Sequence, residues 1–167
     1  MPMSFVAGAS SHVFAPAFAA AVDAQLRKRF PALPPAVAEE WYRSEEVDAT
    51  GWSSLQRKIG KSAQIGPDPY QAVYLPLPIE KLEQVVVPPA ADPIQAGSLT
   101  ALIEELRAYA TKASLPTDDL ELMQLGAKYL EDDALFHRDL DVQTFVQLML
   151  SAKQAMAHAS PLWVAIS

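Results

Sequence analysis

The sequence predicts a mainly α-helical single domain of the α+β class. The expected form is a bundle of about five or six helices with a small, short-stranded sheet. Three observations predict it. Apolar residues recur at helical spacing towards both ends of the chain. Seven of the 14 prolines fall between Pro67 and Pro93, where a fixed φ and a missing N–H forbid an ordinary helix. The stretches rich in β-branched or aromatic residues (71–75, 84–87 and 162–166) are short. The 167 residues suffice for one domain with a sizeable core. They divide into an N-terminal helical half (1–65), a proline-rich connection (66–97) and a C-terminal helical half (98–167).

The first helix starts near Pro16, a favoured first-turn residue. Phe14, Phe18, Val22, Leu26 and Phe30 place an apolar stripe on one face, and Arg27, Lys28 and Arg29 suit the dipole at its end. A second helix is expected from Pro34 and Pro35 through Val37, Trp41 and Tyr42 to about Glu46, broken by Asp48 to Gly51. A third covers 53–59 and stops at Gly60. In the middle, 71–75 and 84–87 read as strands whose neighbouring prolines argue for sheet edges.

The second half opens with Ser98 as an N-cap. Leu99, Leu102, Ile103, Leu106 and Tyr109 then mark an amphipathic helix. Thr117 is the expected cap of the next, with Asp118 and Asp119 in its first turn. Leu120, Met123, Ala127 and Leu130 form one face of that helix, with Leu122, Leu125 and Tyr129 beside it. Apolar residues over so much of the circumference imply a central helix. Asp141 caps the last helix, Pro161 ends it, and the strand 162–166 is too apolar to remain in water; it is expected to pair with 71–75. The expected core gathers Trp41, Leu102, Leu106, Leu125, Phe145 and Met149.

Composition narrows the function classes. The formal charge of −7 disfavours nucleic acid and anionic lipid and favours a cationic partner. Cysteine is absent, which excludes disulfides, thiol nucleophiles and cysteine-bound zinc. The apolar first 24 residues lack a basic n-region and are interrupted by Ser10, Ser11, His12 and Pro16, unlike a signal peptide. No apolar run reaches membrane-spanning length. A cytoplasmic protein is expected, and an alanine-rich chain without asparagine reads as GC-rich bacterial coding.

No motif carries catalysis. Gly60, Lys61 and Ser62 end like a phosphate loop, but Leu55 stands where the motif needs its first glycine. Glu131, Asp132, Asp133 and His137 have ligand chemistry, but the spacing fits an acidic helix end better than a metal site. Ser10, Ser11 and His12 lack a nucleophile elbow, and His158 suits the end of a helix. No cofactor is expected, and no metal.

The reading that follows is a non-enzymatic protein-binding or regulatory protein that docks a basic protein partner through an acidic helical surface. A bacterial immunity-type inhibitor of a toxin is one form of it. The expected surface is a helix carrying Glu39, Glu40, Trp41, Glu45, Glu46 and Asp48, with a second acidic region at Asp118, Asp119, Asp132 and Asp133. One alternative is a small-molecule binder or enzyme with a pocket assembled from His12, His137, Glu39, Glu40 and Tyr74. Another is a structural homo-oligomer, such as a homodimer paired through Trp163 and the terminal strand.

Overall fold

The computed structural model describes residues 1–35 and 38–167. The described residues hold a seven-stranded mixed sheet and six α-helices, 48% helix and 18% strand. The fold is therefore mixed α/β, with a sheet as its organising layer, and the expected helical bundle with a minor sheet is overturned.

The strands are β1 (Pro2–Gly8), β2 (Glu40–Arg43), β3 (Val47–Asp48), β4 (Ala72–Leu75), β5 (Glu83–Val85), β6 (Ile94–Ser98) and β7 (Leu162–Ile166). The helices are α1 (Pro16–Arg29), α2 (Ala49–Ile59), α3 (Leu99–Ala113), α4 (Asp119–Glu131), α5 (Asp133–Arg138) and α6 (Leu140–Ala157). The sheet order is β2-β1-β7-β4-β6-β5, and β3 also pairs β1. β4 and β6 are parallel, and the other pairings are antiparallel.

Side-chain alternation along the strands builds two cores. Met3, Phe5, Ala7, Ala72, Tyr74, Leu162 and Val164 face α2, α3 and α6, with Leu122 of α4 joining from outside. Val6, Val73, Leu75, Ile94, Ala96 and Trp163 face the other way, towards Val22 and Leu26 of α1. The stripe expected on α1 thus packs on that face of the sheet, together with Ile79, Val87 and Leu77 from the connecting segments. Strands buried on both faces read as continuous apolar runs rather than as alternation, which is why β1 is not legible as a strand.

Several local expectations are corrected. Residues 40–43 and 47–48 are strands on the outer edge of β1, where a helix was expected; Val37, placed in that helix, lies outside the described residues. Trp41 is 41% exposed and belongs to no core. β4 sits inside the sheet between β7 and β6, because its prolines flank the strand and leave its own N–H groups free to pair. Its pairing with β7 is as expected, Val73 opposite Trp163 and Tyr74 opposite Leu162. β7 pairs β1 along its whole length and β4 at Leu162 and Trp163.

Helix starts also shift. Asp48 caps α2 by accepting from the Thr50 N–H at 2.8 Å, and Asp118, rather than Thr117, caps α4. Asp139 occupies the cap position of α6; Asp141 is buried within its first turn, accepting from Lys58 Nζ at 2.7 Å. The central helix is α6, enclosed by the sheet, α2, α3 and α4. α2 crosses it closely at Gly51, where an added Cβ would collide with Thr144 Oγ1 and lie 2.6 Å from the Leu140 carbonyl oxygen. No helix among the described residues is long and apolar enough to cross a membrane.

Candidate functional site

The acidic segment 39–48 lies on the sheet's outer edge. There the structure separates carboxylates that serve the fold from those that do not. Glu40 is held by Arg43 in a two-pronged pair, Nε to Oε1 at 3.0 Å and Nη2 to Oε2 at 2.8 Å. That hydrogen-bonded pair keeps the Glu40 carboxyl below its ordinary pKa, with a smaller contribution from His12, whose Nδ1 lies 3.6 Å away. Asp48 is likewise pulled down, first by its hydrogen bonds from Thr50, because it is the α2 cap. Glu39 accepts from the Ala38 N–H at 3.2 Å. Glu45 and Glu46 are exposed, and their carboxylates form no ion pair among the described residues.

Trp41 stands out from this edge. Its ring stacks on His158, beyond the end of α6, with centroids 4.2 Å apart and planes 13° from parallel. The His158 ring is itself held by Nδ1 against the Gln154 carbonyl at 2.9 Å. One face of the indole is therefore covered, while the ring remains partly exposed as a rigid aromatic anchor.

The second acidic region surrounds α4. Asp118 accepts from the Glu121 N–H, Asp119 pairs with Lys153 at 2.5 Å, and Asp132 caps α5 through the Ala134 and Leu135 N–H groups. Glu131 and Asp133 are exposed and unpaired among the described residues.

Between these charges α4 carries an apolar stripe turned to solvent. Leu122, Gly126 and Tyr129 face inward. Leu120, Met123 and Leu130 are 63%, 60% and 57% exposed, and Ala127 is exposed between them. The expected central helix thus has one apolar face too many for the single core beside it. Burying the three large side chains would contribute about 1–2 kcal/mol each. A scattered exposed leucine needs no explanation, whereas three large apolar residues in one row on one helix do.

Gln147 of α6 joins the two regions. Its Oε1 accepts from the Glu45 N–H at 3.2 Å. On its other side α4 approaches at Gly126, where an added Cβ would lie 3.3 Å from Gln147 Nε2 and 3.3 Å from Val146. The absent side chain lets α4 press against α6, so Glu45 and α4 border the same glutamine.

The residues considered for a pocket are not gathered. Tyr74 is fully buried, with its hydroxyl donating to the Gln64 carbonyl at 2.7 Å and burial pushing its pKa up. Of the five, His12 and Glu40 approach each other at the sheet edge. His137 lies on the short helix α5, and no trio of His, Asp or Glu among the described residues is placed to hold a metal ion. No family model matches the chain, and no curated protein or solved structure is significantly similar to it.

Sequence reasoning missed Leu120, Met123 and Leu130 as surface residues, and it missed Gln147 altogether. The signal for the stripe was present in the two apolar faces of one helix. Gln147 carried none, since a glutamine within an apolar helix gives no hint of what it touches.

Proposed function

We propose that this chain is a protein-binding or regulatory protein whose acidic face docks a basic protein partner. The observation that supports the reading is the exposed α4 stripe, bordered by unpaired Glu131 and Asp133 and joined across Gln147 to unpaired Glu45 and Glu46. Apolar contact supplies affinity at such a face, and the free carboxylates steer a cationic partner and select against acidic ones. Trp41, held flat on His158, extends the anchor set at the strand edge. An immunity-type inhibitor of a basic toxin is one concrete form of this function.

The test is capture of a basic protein from the native host's lysate at low and high salt, by the wild-type chain and by Glu45→Lys/Glu46→Lys. The reading predicts that capture weakens steeply with salt and weakens further in the variant. Equal capture by both chains at every salt concentration would contradict it.

A further inference from the structure

Granted that docking face, we infer that its occupant is an amphipathic helix with an apolar seam and Lys or Arg on its borders, laid along α4. The spacing carries the first part. Leu120, Met123, Ala127 and Leu130 succeed one another at intervals of three, four and three residues, the spacing of a two-helix seam. Ala127 is small and sits mid-stripe, which lets a second helix axis come close.

Charge carries the second part. On a helical projection Asp119 borders the stripe on one side and Glu131 on the other; Asp133 follows at the start of α5. Lys128 is turned about a third of a revolution away from the stripe centre. Lys153 is already engaged, contacting Asp119 at 2.5 Å and the Thr117 carbonyl at 2.8 Å. A basic helix meets carboxylates at both ends of the stripe, Glu131, unpaired among the described residues, at one and Asp118 with the Lys153-paired Asp119 at the other. A second copy of this chain is not complementary: antiparallel pairing sets Asp118 and Asp119 against the partner's Glu131 to Asp133 region, and parallel pairing sets like against like.

The competing occupant is an extended strand added to β2. That edge is short, its register against β1 shifts between Ala7 and Gly8, and Glu40 and Arg43 are already paired with each other along it. These are features of an edge protected from strand addition. The helix seam has no such obstruction.

The test uses two synthetic peptides of identical composition. One is helix-forming, with leucines repeating at intervals of three and four residues between lysine borders; the other has that order scrambled. Calorimetric titration against the wild-type chain, Met123→Glu/Leu130→Glu, Met123→Leu and Glu45→Lys/Glu46→Lys reads affinity, with circular dichroism confirming that each variant is folded. The expected result is preferential binding of the patterned peptide, weakened about tenfold by Met123→Glu/Leu130→Glu and preserved in Met123→Leu. Equal binding of both peptides, sensitive only to Glu45→Lys/Glu46→Lys, would overturn the helical occupant and leave the basic-partner reading standing. Binding of neither peptide would count against both. A dimer in light scattering that Met123→Glu/Leu130→Glu dissolves would overturn the foreign occupant in favour of a second copy.

Discussion

Helices α4 and α6 are both rich in apolar residues and meet opposite fates. Both carry apolar residues around most of their circumference, and both follow an acidic N-terminal turn. α6 is enclosed by the sheet and three helices, so its Phe145, Val146, Leu148 and Met149 are all fully buried. α4 packs chiefly on α6, with α5 at its end, and leaves Leu120, Met123 and Leu130 in solvent. Apolar content sets how much surface a helix can bury, and its position in the layer order sets how much it does bury. The surplus on α4 is what a partner would use.

The largest expected effect falls on α6. Phe145→Ala should cost about 3–5 kcal/mol in urea unfolding, since its ring is completely enclosed. A loss near zero would break the contrast at its root. Gly126→Val should cost about 1–3 kcal/mol, because the new side chain must displace Gln147 and Val146. It should also detach α4 locally, seen as faster amide exchange over 119–131 with α6 still protected.

Glu45→Lys/Glu46→Lys should slow association with a basic partner about tenfold at low salt while leaving the unfolding midpoint almost unchanged. Stopped-flow traces at rising salt should bring variant and wild type together. Tyr129→Phe should cost about 0.5–1.5 kcal/mol, since the Tyr129 hydroxyl donates to Asp139 at 3.1 Å. Burial first, then the hydrogen bond and charge of Asp139, push the Tyr129 pKa up to about 12. A raised folded pKa gives a contribution present below the ordinary tyrosine value, near pH 10, and lost as pH climbs towards about 12. Alkaline unfolding of Tyr129→Phe should therefore show a shallower decline than wild type.

Much of the helical framework is legible in the sequence because helix signals are local. α1 begins at Pro16 and ends after its basic turn, Ser98 caps α3 through the Ala101 N–H, and Gly60 closes α2 at φ +80°. The sheet is largely hidden. β1 is buried on both faces and shows no alternation, and β6 is built from Ile94, Gln95, Ala96, Gly97 and Ser98, with Ile94 its one strong strand former. Its neighbours decide its conformation. Once β1, β4 and β7 form a continuous layer, residues 40–48 become its edge, and local helix propensity there is overridden.

The candidate face was half legible for the same reason. Negative charge at Glu45, Glu46 and Asp133 can be read directly, but whether a carboxylate is free depends on partners distant in sequence or on cap geometry. Glu40 and Asp48 look like equal members of that set until Arg43 and Thr50 are seen to occupy them. The junction at Gln147 joins segments more than 70 residues apart, Glu45 and Gly126, through a third element, and no local pattern encodes it.

The most direct test of the central claim needs no partner. If the outer face of α4 is surplus to folding, the triple variant Leu120→Glu/Met123→Glu/Leu130→Glu should unfold in urea within about 1 kcal/mol of wild type, with an unchanged slope. A loss of several kcal/mol, or a broadened transition, would show that the stripe belongs to the core and would contradict the account.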